Sequence, residues 1–388
     1  MDRRNSVLPC SPAVASVTRN SAYDSFKNVR MIDFGAEDRS GTADFSSMEL
    51  VDSPYGATTK KSISNYALEK SCSLIDDGPS MTLCKKVELG NQHFHILKLI
   101  HEGEFAKVFL ATTDDDKSSV LKQQVQSPRR EMQIIEELKN RLSPSVHEFI
   151  VQIGSAYNFS NLSVIVRDYY SVGTLQDLTI AYKNFNLEVS GLLVTFFGLQ
   201  LADLLDQVHS AKIIHARLQP GVVYLTQPLL SFENSLDELL CKPSIKIAGW
   251  GKSVDMNLHE DGKQFFGRSE AKDVYCIEMI SEKPWNYQVD FYGFVRIFHF
   301  LMFGDEIATV RSQGKIRPVR AMKRGMALRS MWMKIFDEFL NISGCESLPS
   351  WSHICSMMRE KLQGEVKEKP DEWRKTLDDY NIYANNIQ

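Results

Sequence analysis

The sequence lacks several things that would define its class at once. No run of apolar residues approaches the roughly 18 needed to span a bilayer, so a membrane helix is not expected. Residues 1–4 are charged, but no apolar segment follows them, which argues against a secretory signal. The seven cysteines form no CxxC pair and are odd in number, the usage of reduced, intracellular thiols rather than of a disulfide framework. No Cys/His group shows zinc spacing. Charge of one sign is also missing. The 45 Lys and Arg against 49 Asp and Glu leave −4 over 388 residues, which makes a nucleic-acid partner an unlikely expectation at whole-chain level. There is no internal repeat.

What is there divides into three. Residues 1–88 are crowded with Ser, Thr, Asp and Asn, and their apolar residues are isolated, the composition of a disordered tail. The Asp33-Phe34-Gly35 triplet within it follows no strand or helix pattern and reads as chance. From residue 89 to about 362 the pattern is that of a folded domain, and residues 363–388 read as one docked helix or a tail. The domain opens with three strands: His93 to Ile100, Phe105 to Ala111, and one begun by Ser119-Val120-Leu121-Lys122. Ser127 and Pro128 then start a helix whose stripe is Ile135, Leu138 and Leu142. Val164-Ile165-Val166 is a buried strand, residues 191–209 form a long amphipathic helix, and most of the remainder is helical, including residues 291–303 and 331–340. His93 and His95 share a strand face and read as surface histidines.

A small strand-rich half followed by a larger helical half resembles the protein-kinase fold: α+β and bilobal, with an antiparallel N-lobe and a helical C-lobe. That resemblance can be tested residue by residue. Lys122 fits the lysine that grips phosphates and Glu131 its ion-pair partner. The phosphate loop His101-Glu102-Gly103-Glu104-Phe105-Ala106 has Gly103 alone of the usual glycines, and its carboxylates disfavour a polyphosphate. The catalytic loop Ile214-His215-Ala216-Arg217-Leu218-Gln219-Pro220-Gly221-Val222 departs further. Arg217 stands where a carboxylate base is needed, and arginine does not deprotonate. Gln219 stands in place of a charge-neutralising lysine, Val222 in place of a metal-binding amide, and Gly249 of Gly249-Trp250-Gly251 in place of the magnesium-binding Asp. His215 and Asp290 match positions whose role in this fold is structural.

The stretch from Cys276 through Lys283-Pro284-Trp285-Asn286-Tyr287-Gln288-Val289-Asp290-Phe291-Tyr292-Gly293 resembles the activation-segment end of the Bub family of mitotic-checkpoint kinases. Tyr170-Ser171-Val172-Gly173-Thr174-Leu175 and Gly251-Lys252-Ser253-Val254-Asp255-Met256 are similar to the same family, in the same order, over residues 92–362. The resemblance implies a spindle-checkpoint protein of nucleus, kinetochore and cytoplasm, partnered by other checkpoint and kinetochore proteins. With Arg217, Gln219, Val222 and Gly249 it looks like the inactive, Bub-related branch. The expectation is therefore a pseudokinase: not an enzyme, holding no cofactor unless ATP binds weakly without magnesium. The family's N-terminal helical-repeat domain has no counterpart in residues 1–91, and no KEN tripeptide occurs.

Two other readings stay open. One is an atypical phosphotransferase or nucleotidyltransferase in which Asp255 or Glu102 reaches the metal. The other is a nucleotide-gated switch in which Lys122 and Arg217 balance ATP without metal. Separately, eight basic residues and no acidic one lie between Glu306 and Asp337: Arg311, Lys315, Arg317, Arg320, Lys323, Arg324, Arg329 and Lys334. That stretch suits an acidic or phosphorylated partner or nucleic acid, or else a solvated loop and helix face.

Overall fold

In the computed structural model the described residues are 71–73, 77–103, 106–125, 127–226, 235–267 and 275–386. The Asp33-Phe34-Gly35 triplet, most of the expected tail, and Glu104 and Phe105 of the phosphate loop lie outside them.

Seven strands form one sheet in the order β1-β6-β7-β5-β4-β3-β2. These are β1 (Ser71–Ser73), β2 (Lys86–Leu89), β3 (Gln92–Glu102), β4 (Ala106–Thr113), β5 (Ser118–Gln124), β6 (Ser155–Asn158) and β7 (Ser163–Asp168). The β2-β3-β4-β5 meander is antiparallel throughout, and β7 pairs antiparallel with β5 so that Ile165 lies opposite Lys122. Val87, Leu89, Phe94, Ile96, Phe109, Leu121, Val164 and Val166 fill one face of the sheet. Helix α1 (Arg129–Arg141) packs on the other side with Ile134, Ile135 and Leu138 buried. Its boundary sits one residue later than the sequence suggests. Pro128 is the N-cap, and the Ser127 hydroxyl accepts from the Arg129 amide at 3.4 Å, while Leu142 closes the helix as C-cap.

The folded domain starts earlier than residue 89. β2 buries Val87 and Leu89 in a four-residue alternation too short to stand out in polar surroundings. The Gly78 amide reaches Asn161 Oδ1 at 2.9 Å, and Met81 packs against the sheet core.

The larger lobe is helical: α2 (Leu175–Asn184), α3 (Gly191–Ser210), α4 (Gln288–Phe303), α5 (Arg329–Leu340), α6 (Trp351–Glu368) and α7 (Pro370–Asn386). Thr174 begins α2 with a capping box, its hydroxyl accepting from Asp177 N while Asp177 accepts from Thr174 N. Helix α3 is not amphipathic as read from sequence. It is long and apolar enough to cross a membrane by length and composition, but 83% of that window is buried inside this fold. A helix apolar all round belongs at the centre of a core. Helices α6 and α7 run through the segment expected as helix or tail, and α7 docks through Trp373 on Phe196 and Tyr380 on Phe197. A hairpin, β12 (Thr309–Ser312) and β13 (Lys315–Pro318), interrupts the helical half within the basic stretch. Two short antiparallel pairs lie in the loops of this lobe: β8 (Ile213–Ile214) with β11 (Val254–Asp255), and β9 (Val223–Leu225) with β10 (Ile245–Ile247).

Candidate functional site

The cleft is assembled from β5, β7, α1 and the loops after β8 and β10. Lys122 Nζ lies 3.2 Å from Glu131 Oε2, with Glu131 3% exposed. Burial opposes ionisation of Glu131, but the charges of Lys122, Arg167 and Arg217 outweigh it and hold the carboxyl below its usual range. Burial lowers Lys122, against the pull of Glu131.

Arg167 was not singled out in the sequence. It sits on β7, 8% exposed, with Nη1 3.8 Å from Glu131 Oε1 and a buried Nε that has no hydrogen-bond partner. The signal was available: a guanidinium directly after Val164-Ile165-Val166, in a strand otherwise apolar and buried. Arg217 completes the group, its charge bearing on Lys122, Glu131, His215 and, across the cleft, His101 at the end of β3. Three cationic side chains thus surround one carboxylate. Gly103 closes the β3–β4 turn, its amide donating to Ala106 O at 2.9 Å.

The loop after β8 is held from below. Asp290 at the start of α4 is fully buried and accepts three hydrogen bonds: His215 N and Ala216 N at 2.8 Å each, and His209 Nε2 at 3.0 Å. Trp351 Nε1 donates to His209 Nδ1 at 2.9 Å, so the ring's proton lies on Nε2, toward Asp290. Ala216 is left-handed at φ 63°, a conformation that costs a residue with a Cβ and is held by that carboxylate. His215 uses both ring nitrogens: Nδ1 accepts from Arg217 N at 3.2 Å and Nε2 donates to Ala248 O at 3.1 Å. Its ring meets Trp250 edge-on at 4.5 Å. Burial lowers its pKa and keeps it neutral. His215 and Asp290 therefore both bond to the backbone of the loop and its neighbours.

On the opposite wall, Gly249 is left-handed at φ 90°, and a Cβ added there would stand 3.2 Å from Val222 Cγ1. Gln219 precedes the turn at Pro220–Val222 without capping it. The carboxylates proposed as substitutes are committed elsewhere. Asp255 is buried and gripped by both terminal nitrogens of Arg141, at 2.8 and 2.6 Å, and also caps Asn257 N. Glu102 pairs with Lys107 at 2.6 Å. The donor set does not fit magnesium: a hard cation wants several oxygens, and here Gly249 and Val222 offer no side-chain oxygen while cations crowd the one free wall. Among the described residues, no three Asp, Glu, His or Cys side chains converge on a metal-sized site.

Comparisons with known proteins agree with this architecture. The family described as protein kinase domain matches residues 94–369. The chain belongs to the protein kinase domain family. It is 31% identical over 298 residues to the mitotic checkpoint serine/threonine-protein kinase BUB1 of Mus musculus, covering 75% of this chain and 28% of that one. It is 30% identical over 311 residues to the bub-1 kinase of Caenorhabditis elegans, covering 78% and 31%. A crystal structure of the BubR1 kinase domain superposes with a TM-score of 0.72 at 24% identity, covering 84% of this chain and 95% of that one, and speaks for the fold. Within the kinases, the BUB1 and bub-1 relatives that it resembles over most of its folded residues are mitotic checkpoint kinases. The chain spans less than a third of the length of those two curated relatives.

Proposed function

We propose that this protein is a pseudokinase of the Bub checkpoint group, serving as a protein-interaction module in spindle-checkpoint signalling at kinetochores rather than transferring phosphate. The observation that carries the reading is the convergence of Lys122, Arg167 and Arg217 on Glu131, opposite a wall of Gly249 and Val222. Phosphoryl transfer depends on electrostatic stabilisation by a held metal and on an oriented acceptor hydroxyl. Arg217 offers no base, and among the described residues no group of carboxylates converges on a site for the ion. The commitment of Asp255 to Arg141 weighs against an atypical phosphotransferase built on it.

A second reading has an observation of its own. Arg167 is buried with an unpartnered Nε beside an excess of positive charge, which suits an anion without magnesium. Thermal unfolding of the full chain with ATP, once with magnesium and once with EDTA, separates the readings. We expect no shift in Tm in either condition. A rise only with magnesium would return catalysis to consideration. A rise only with EDTA, abolished by Lys122→Met, would establish the metal-free binder.

A further inference from the structure

The two edges of the β12–β13 hairpin are treated differently. The Val319 amide donates to Ala308 O at 2.8 Å, so that pair is hydrogen-bonded and the ladder alternates from it. Val310 opposite Arg317 and Ser312 opposite Lys315 are then the bonded pairs, closed by the two-residue turn Gln313-Gly314 at φ 53° and 76°. Thr309 opposite Pro318 and Arg311 opposite Ile316 are the non-bonded pairs, whose backbone groups point away from the hairpin. On the β13 side that outward edge is plugged. Asn341 Oδ1 accepts from Ile316 N at 2.7 Å, and its Nδ2 donates to Ile316 O at 3.0 Å. Pro318 has no amide to offer. On the β12 side no strand pairs with Thr309–Ser312 except β13, among the described residues.

The open edge is bordered by one sign of charge. Of the eight basic residues, Lys315 pairs with Asp337, Arg320 with Asp305 and Lys323 with Glu188, while Arg329 donates to Met322 O. Arg311, Arg317, Arg324 and Lys334 are exposed and have no acidic partner among the described ion pairs. Val310 and Val319, 44% and 58% exposed, flank Arg317 on the face of the hairpin away from the core. Cations on an edge strand repel a second copy of themselves and so prevent self-pairing. The same cations favour an extended segment of opposite charge.

We propose that β12 takes an extended acidic peptide of a partner protein as a third strand. The outward N–H and C=O groups of Thr309 and Arg311 supply the ladder, Arg311 and Arg317 the charge selection, and Val310 and Val319 an apolar footing for alternate side chains. The proposal gives the interaction reading above a surface and rests on it only in supposing that a partner exists. Its test uses a synthetic peptide, so failure here leaves the ATP measurement unaffected.

The probe is a fluorescein-labelled peptide of alternating Glu and Val, read by anisotropy with the full chain. A second peptide has the same sequence and charge but every backbone amide N-methylated, which removes the strand donors on both edges. We expect the first to bind and the second not. We also expect affinity to fall about tenfold or more in the double variant Arg311→Glu/Arg317→Glu. Arg311→Ala removes the charge alone; Arg311→Pro removes an outward-facing donor as well and should weaken binding further, while the thermal melt still shows a folded protein. Equal binding of both peptides would mean charge attraction alone and would overturn the proposal. So would unchanged binding by the charge-reversed variant, or no binding of the alternating peptide at millimolar concentration.

Discussion

The loop after β8 and the wall of the cleft above it meet at Arg217, yet they are built on different terms. In the loop every polar group named has a partner: Asp290 satisfies two amides and a histidine, and His215 spends both ring nitrogens on backbone. In the cleft, Arg167 is buried with an unsatisfied Nε, and three cations share one carboxylate. A satisfied network is one that folding alone requires, because each buried donor left open costs about 1–3 kcal/mol. An unsatisfied, charge-loaded one exists in spite of folding, and folding alone does not account for it. The comparison teaches that residues a few positions apart can answer to separate demands: the loop's backbone is fully satisfied here, while the side chains of the cleft beside it are loaded with one sign of charge.

The largest effect should come from breaking the loop anchor. Asp290→Ala strands two buried amides and the His209 Nε2 proton, and removes the acceptor that holds Ala216 left-handed. We expect a loss of about 4 kcal/mol or more in denaturant unfolding. Set against a typical total of about 5–15 kcal/mol, that is a large part of the stability of the fold. A loss below about 1 kcal/mol would mean the anchor is replaceable and the contrast with the cleft is false.

A buried histidine on α4 gives an intermediate test, because it is half satisfied. His299 donates from Nδ1 to Asp305 O at 3.1 Å, while its Nε2 is buried without a partner. Burial pushes its pKa down to about 4. The folded state keeps this ring neutral where the unfolded chain, titrating near 6.5, would protonate it. Unfolded molecules therefore bind more protons between those values, and stability falls as pH is lowered from about 6.5 toward 4, by a few kcal/mol in total. The buried His215 is depressed as well and adds to the same trend. Denaturant unfolding at stepped pH should show His299→Phe flattening this acid slope, with His215 contributing to what remains. An unchanged slope would remove His299 from the account.

Much of the fold was legible because long elements carry long patterns. The stripe of Ile135 and Leu138 on α1 and the run of Val164 to Val166 on β7 fall where their periodicity put them. Lys122 and Glu131 were legible as a pair because strand and helix order place them together, and the structure brings them to 3.2 Å. Short elements were not legible. β2 has four residues, and the β12–β13 strands have four each, set in a basic stretch whose charge masks their alternation. Arg167 was passed over because a single charge in an apolar run has no period. Its meaning comes only from Glu131, which is distant in sequence and close in space. The competing role for Asp255 failed for the same reason: Arg141, which holds it, lies 114 residues earlier.

The smallest effect asks whether the cleft is one substitution from metal binding. Gly249→Asp puts a carboxylate at the position where the kinase fold holds magnesium. Here Gly249 is at φ 90°, beyond the left-handed region that Asp tolerates, and its new Cβ would press on Val222 Cγ1. We expect destabilisation of about 1–2 kcal/mol and no magnesium-dependent rise in Tm with ATP, since the backbone must shift before the carboxylate can face the cleft. Adding Val222→Asn relieves the contact and supplies the second oxygen ligand type, and should recover part of the stability. If the single variant gained magnesium-dependent ATP binding without loss of stability, the wall at Gly249 would be a kinase wall with one side chain missing. The difference between the anchor and the cleft would then be a matter of one residue rather than of how each is built.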